Sequence, residues 1–175
     1  MKKITILFFL ILPLFLPAQN KVEKYIEKYD EEAIEIMKNH GIPASIVLGI
    51  AIHESAAGTS KLCRLKNNHF GFKGKINKTE YDFAPSYRGF ESSEEAYEAF
   101  AQCLTRKSFY EKLKYDMDPV KWLHALRKGG YAEAPEWMRK IVQIINKYDL
   151  TKFDSTFCQE NAFSYNNTQP LKFPY

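Results

Sequence analysis

The 175-residue sequence contains few cysteines, and none of them lies in a metal-binding pattern. The three cysteines are Cys63, Cys103 and Cys158, with no CxxC motif and no cluster of histidine with cysteine. This arrangement argues against a zinc site, and nothing else in the sequence predicts a metal or a cofactor.

Long apolar runs are also scarce, and the one clear example is at the N terminus, in MKKITILFFLILPLFLPA. A basic start, an apolar stretch and a small-residue cleavage site predict a signal peptide over residues 1–18, with export to the periplasm or outside the cell. The alternative is a membrane anchor, but the stretch is shorter than the ~20 residues that span a bilayer. We therefore expect no stable membrane insertion after cleavage. In an oxidising compartment, three cysteines predict one disulfide and one free thiol, with the pairing open.

The chain has little excess charge of either sign, with 25 Lys and Arg against 21 Asp and Glu, and removal of Lys2 and Lys3 leaves 23 against 21. A net charge near +2 argues against nucleic-acid binding but suits contact with an anionic polymer such as a cell wall. Internal repeats and low-complexity segments are absent from the sequence. We expect a monomer with one domain over residues 19–150 and a tail over residues 151–175 that drapes over the domain or is partly disordered.

Helical patterns dominate the part of the chain that remains. Apolar residues at helical spacing predict a first helix that ends near Gly41, and the run from Pro43 to Ser55 predicts a second helix, buried on nearly every side. Residues 56–90 are irregular and could hold a short strand or hairpin. Further helices are predicted after Ser92, around residues 108–115, after Asp118 and after Pro135. The fold class is therefore mainly α, with a small loop-rich or β-hairpin insert.

Glu54 is the most informative residue, because it places a carboxylate at the end of the apolar second helix. Burial and the helix C terminus both disfavour the charged form, so we expect a raised pKa and a carboxylic acid that can donate a proton to a leaving oxygen. Glycoside hydrolysis needs such a group. A Glu that caps a loop or pairs with Lys or Arg is the alternative, and position alone leaves both open.

The sequence that surrounds Glu54 resembles the signature of the bacterial cell-wall glucosaminidases, glycoside hydrolase family 73. The segment IPASIVLGIAIHESAAGTSKL matches I-P-x-S-I-x-x-A-x-x-x-E-S-x-x-G-x-S-x-L, and NNHFGFK matches N-N-x-F-G-x-K. The segments YRGFESSEEAY and DPVKWLHALRKGGYAEAPEWMRKIVQIINKYDL continue the likeness, which covers about residues 40–150.

The resemblance implies a lysozyme-like helical fold and cleavage of β-1,4 bonds after N-acetylglucosamine in the glycan strands of peptidoglycan. It implies that Glu54 is the catalytic acid and that the hydroxyl of Tyr131 helps to position substrate or water. It also implies that Asn68 and Phe70 line the cleft floor, and we expect Ser55 to take part in substrate binding. Tyr131 could instead be a core residue, and the Asn pair could serve only local turn chemistry.

A second catalytic carboxylate is less clear from the sequence. Glu80 is the preferred candidate, because the resemblance places an acidic residue on a hairpin in this insert, and Asp82 is close by. Either residue could be a solvated loop charge. Attack by the acetamido group of the substrate would need no second acid, and the sequence does not separate these mechanisms.

The chain departs from the family pattern at Ala56-Ala57, where Gly-Trp or a similar pair is common, and at Glu133, where Thr is common. These changes bear on substrate preference more than on activity. His53 and His69 are interpreted as structural, although His69 could reach the cleft. A muramidase or lytic transglycosylase on the same fold, or a non-catalytic peptidoglycan-binding domain, are the alternative functions.

Overall fold

The computed structural model describes residues 20–74, 86–132 and 134–155, and these form a mainly helical domain. This confirms the predicted fold class. The helices, in chain order, are α1 (Lys21–His40), α2 (Ala44–Ser55), α3 (Lys61–Lys66), α4 (Ser93–Thr105), α5 (Tyr110–Leu113), α6 (Pro119–Lys128) and α7 (Pro135–Lys147).

Helix α2 is the centre of the core, as its apolar sequence predicts. Every residue from Ala44 to Ile52 is buried, and the helix packs against α1, α6 and α7. At Gly49 the approach of α7 is so close that a Cβ atom would lie 3.0 Å from Ile145 and 3.1 Å from Ile141. The absence of a side chain at Gly49 therefore lets α7 pack directly on α2, which places the first turn of α7 near the end of α2.

Capping interactions mark the helix ends, and two of them confirm the predicted Asp118 start of α6 and Gly41 end of α1. Asn20 and Glu23 form a capping box at the start of α1, and the Asp118 carboxylate accepts the Val120 N–H at the start of α6. Gly41 ends α1 with a left-handed φ of 64°. A Cβ atom there would lie 2.8 Å from the Tyr115 ring, so both conformation and space require glycine.

The N terminus of α2 is capped by Asp154, which follows α7 in the sequence. Its own N-cap residue, Pro43, makes no side-chain cap bond, and Asp154 Oδ1 accepts the Ser45 N–H at 2.9 Å instead. The Asp154 side chain is buried, and burial raises its pKa. The first residues of the predicted tail therefore drape over the domain, while residues 156–175 lie outside the described part of the chain.

The irregular region after α3 is closed by antiparallel pairing of two short segments. Lys73 and Tyr87 form an antiparallel bridge, and the Arg88 N–H donates to the Phe72 carbonyl at 2.9 Å. The segment between them, residues 75–85, lies outside the described residues. The predicted hairpin and its carboxylates Glu80 and Asp82 fall in that segment, so their placement stays a prediction.

His69 lies in a buried polar cluster that ties this region to α1 and α4. Its Nδ1 lies 2.5 Å from the Tyr25 hydroxyl, which lies 3.0 Å from the Tyr97 hydroxyl. Burial lowers the pKa of His69 to about 4, and the Lys28 charge acts in the same direction. His69 is thus a packed residue, as the sequence interpretation favoured.

The two described cysteines, Cys63 and Cys103, are free thiols. Neither of them forms a disulfide, so the expectation of one disulfide is wrong for Cys63 and Cys103. Cys158 lies outside the described residues. Burial raises the pKa of the Cys63 thiol to about 11, which keeps it protonated and unreactive.

None of the described helices has the length and apolar character needed to cross a membrane, and the predicted signal peptide lies outside the described residues.

Replacement of Asp154, which caps the N terminus of α2, should destabilise the domain. We expect Asp154→Ala to lower the free energy of unfolding by about 1–2 kcal/mol, the usual cost of removing an N-cap. Asp154→Asn keeps an oxygen that can accept the Ser45 N–H, so its loss should be smaller. Urea unfolding at pH 7 measures both variants, and equal stability of Asp154→Ala and the wild type would contradict the assignment.

His69 should make stability depend on pH. Its folded-state pKa is depressed to about 4, so its contribution is fully present above its unfolded pKa of ~6.5 and is lost as the pH falls toward 4. Between pH 7.5 and pH 5 this loss is about 2 kcal/mol. Urea unfolding of wild type and His69→Gln should show a steeper pH dependence for the wild type, and parallel profiles would refute it.

Candidate active site

Glu54 lies in the last turn of α2 with its side chain partly exposed. The indole N–H of Trp137, in the first turn of α7, donates to Glu54 Oε1 at 2.7 Å. The Trp137 side chain is buried, so its position is fixed by packing. One oxygen of the carboxyl group is therefore held in place by a rigid donor.

The other oxygen of Glu54 faces Gly71, in the loop after α3. Gly71 has a left-handed φ of 69°, and a Cβ atom there would have Glu54 Oε2 as its nearest described neighbour, at 3.7 Å. A side chain at this position would cover Oε2 and would also be strained. Gly71 thus leaves space beside the second carboxyl oxygen.

Tyr131 is brought to the same place by the turn that ends α6. Gly130 has a φ of 76°, and the Tyr131 N–H returns to the Leu126 carbonyl at 3.0 Å. The Tyr131 hydroxyl donates to the Phe70 carbonyl at 3.4 Å, and its ring centre lies 5.5 Å from that of Trp137. Burial, and then the nearby charge of Glu54, raises the pKa of the Tyr131 phenol well above its usual value, so the hydroxyl keeps its proton.

Phe70 supports the site from behind. Its ring is buried and stacks on Phe100 with ring centres 4.2 Å apart and an interplanar angle of 5°. The carbonyl of Phe70, rather than its ring, meets Tyr131. Its predicted contact with substrate stays a prediction, while the described contacts anchor the loop that carries Gly71.

Ser55 and Asn68 are also buried behind the carboxylate. The Ser55 hydroxyl accepts the Gly58 N–H at 2.8 Å, which holds a turn whose residues Ala56, Ala57 and Gly58 all have positive φ. The Asn68 amide donates to the Phe72 and Arg88 carbonyls, and its oxygen accepts the Phe72 N–H. Both residues shape the loops around Glu54, and a direct role in substrate binding stays a prediction for each.

The structure therefore brings together Glu54 and Tyr131 among the predicted catalytic residues, and it adds Trp137. The sequence showed Trp137 only as a residue on the inner face of the last helix. Its position just after the Pro135 start of the helix was visible in the sequence, but its contact with Glu54 depends on the packing of α7 against α2. In the described ranges, no three His, Cys, Asp or Glu side chains are grouped so that they could hold a metal ion.

Comparison with known proteins shows the family to which the chain belongs. The family model described as mannosyl-glycoprotein endo-β-N-acetylglucosaminidase matches residues 30–150. The exo-glucosaminidase LytG of Bacillus subtilis is 30% identical over 85% of this chain and 65% of its own length. An N-acetylmuramoyl-L-alanine amidase domain-containing protein of Staphylococcus aureus is 26% identical over 75% of this chain, but over only 24% of its own length. The chain thus spans less than two thirds of either relative.

Solved structures share the fold. The catalytic domain of the autolysin Auto from Listeria monocytogenes superposes with a TM-score of 0.66 at 22% identity, covering 80% of this chain and 91% of that domain. The glycoside hydrolase domain of FlgJ from Salmonella typhimurium gives a TM-score of 0.61 at 20% identity, with 83% and 98% covered. The family match over residues 30–150 and this common fold together show that the chain belongs to the glucosaminidase family of glycoside hydrolases.

Proposed function

We propose that the protein is an exported peptidoglycan hydrolase that cleaves the β-1,4 bond after N-acetylglucosamine, with Glu54 as the general acid. The observation that carries this proposal is the asymmetric environment of the Glu54 carboxyl group. Oε1 is held by the Trp137 indole N–H, and Oε2 faces the space left by Gly71. A carboxyl group with one anchored and one open oxygen can present a proton to a glycosidic oxygen in a fixed direction.

The identity of the substrate is supported by family membership and by the activities of similar proteins. LytG is an exo-glucosaminidase, and a structural neighbour from Sphingomonas sp. A1 is a peptidoglycan hydrolase. The family description specifies an endo-acting enzyme. We propose endo cleavage for this chain, and the size of the released products distinguishes internal cuts from stepwise removal of terminal sugars.

In the proposed reaction, protonated Glu54 gives its proton from Oε2 to the leaving glycosidic oxygen as the bond to the anomeric carbon breaks. Water then adds its hydroxyl group to that carbon, and the proton that the water loses restores the acid form of Glu54, so the products are two sugar ends and the enzyme is regenerated. The Tyr131 hydroxyl, which keeps its proton, orients substrate or water. Stabilisation of the anomeric carbon comes from a second carboxylate, for which we propose Glu80, or from the acetamido group of the substrate.

Replacement of Glu54 should abolish hydrolysis without unfolding the protein. Glu54→Gln keeps an oxygen for the Trp137 N–H but removes the acid, and loss of a general acid costs about 10²–10⁴-fold in rate. The assay digests purified peptidoglycan, reduces the fragments with borohydride and identifies their ends by mass spectrometry. Glu111→Gln, on the exposed surface of α5, is the matched control and should retain full activity.

The ends that form separate the candidate reactions. Reduced N-acetylglucosaminitol ends support the proposal, whereas muramitol or anhydro-muramyl ends would assign the chain as a muramidase or a lytic transglycosylase. Binding of insoluble peptidoglycan without any released fragment would favour a non-catalytic domain. Full activity of Glu54→Gln would overturn the assigned acid.

Removal of the Trp137 donor should impair turnover more than binding. As Glu54 gives up its proton, the Trp137 N–H donates to a developing carboxylate, and a hydrogen bond to a charged group contributes about 1.5–3 kcal/mol. We therefore expect kcat of Trp137→Phe to fall by at least about tenfold. KM should change little, because the Trp137 indole N–H bonds to the catalytic acid that we propose, Glu54, and is assigned no bond to the substrate. Trp122→Phe removes another buried indole donor, near the start of α6, which bonds to the Asp116 carbonyl just before that helix, and it should affect stability alone. Equal kinetic losses in both variants would argue against positioning by Trp137.

A further inference from the structure

A groove at the end of α2 carries positively charged side chains that the proposed hydrolysis does not require. It lies between the start of α1, the end of α2 and the outer face of α7, and has a volume of about 370 Å³. Its rim carries Lys21, Lys140, Lys147 and His53, and none of the described residues that line it is acidic. The three lysines are exposed.

The floor of the groove is apolar and shallow. Val22, Ile52, Ile144 and the ring of Tyr148 line it, together with the small side chains of Ala56 and Ala57. Ala56 and Ala57 belong to the left-handed turn that follows α2. The groove therefore presents cations above a surface on which methyl-sized groups can pack.

The groove begins next to the candidate active site. His53 directly precedes Glu54, and Lys140 follows Trp137, the donor to Glu54, by three residues or about 4.5 Å of helix rise. From there α7 carries the lining residues Gln143, Ile144 and Lys147 away from the site. The groove and the candidate active site therefore share the end of α2 and the start of α7.

From these features we infer that the groove is a subsite for the stem peptide of peptidoglycan, which is attached to the muramic acid residues next to each N-acetylglucosamine. A stem peptide alternates alanine methyl groups with free carboxylates, which complements a small apolar floor under a lysine rim. This inference rests on the proposed function. It makes the chain selective for peptide-bearing glycan over bare glycan of the same backbone.

A second cationic groove, between α5 and α6, provides a matched control. Phe109, Leu113 and Val120 line it together with Lys112 and Lys128. The double variants Lys140→Glu/Lys147→Glu and Lys112→Glu/Lys128→Glu change the net charge equally, and neither pair includes a residue of the candidate active site. Thermal unfolding checks that both variants are folded.

The test measures binding of the Glu54→Gln protein to intact sacculi and to sacculi whose stem peptides an amidase has removed. We expect tighter binding to intact sacculi, and Lys140→Glu/Lys147→Glu in this background should weaken it roughly tenfold. Binding to stripped sacculi should be unchanged, Lys112→Glu/Lys128→Glu should have little effect, and added salt should reduce the difference.

The proposal is overturned if the α7 variant loses affinity equally for stripped sacculi, or if the control variant loses as much. It is also overturned if the Glu54→Gln protein does not distinguish the two sacculi, including the case in which it binds neither. The proposed function is judged separately, by the reducing ends that the wild type releases from intact and stripped glycan. Equal hydrolysis of both would keep the enzyme and remove the subsite.

Discussion

The burial of α2 on all sides is the constraint on which the rest of the molecule depends. A helix without a polar face has to be enclosed, and α1, α6 and α7 enclose it. The chain leaves the core at the last turn of α2, so the first titratable side chains of the helix, His53 and Glu54, lie at the boundary between core and surface. A partly exposed carboxyl group on a rigid base is the direct result, and Gly49 sets how closely α7 can bring Trp137 to it.

The loop that faces Glu54 is held by three consecutive residues that point into the protein. Asn68 satisfies backbone groups of the loop and of the returning segment, His69 joins the buried tyrosines of α1 and α4, and Phe70 stacks on Phe100. Their combined effect is to fix the backbone of Gly71 beside Oε2. A motif that reads as a candidate binding surface in the sequence therefore acts, in its described contacts, as a support for the position of the next residue.

Much of the fold could be predicted from the sequence because its signals are local. The Gly41 end of α1, the Asp118-Pro119 start of α6 and the continuous apolar run of α2 each specify their own structure. Contacts between distant residues could not be found in this way. The Asp154 cap on Ser45 joins residues 109 positions apart, and the Trp137 bond to Glu54 joins residues 83 positions apart. The same limit applies to Phe70. Its aromatic ring suits a sugar-binding surface as well as the core, and its stacking on Phe100 became visible only in the fold.

The separation of roles around Glu54 also explains why the chain can differ from the family pattern after this residue without disturbing the acid. The carboxyl group is held by Trp137 of α7 and faces Gly71. Ala56 and Ala57, in contrast, lie in a turn held by Ser55 and line the groove along α7. A change in that turn therefore alters what the groove can accept and leaves the Trp137 contact in place. Under the proposed acid and the inferred subsite, chemistry and substrate preference are carried by different neighbours of one helix end, which allows the second to vary while the first is kept.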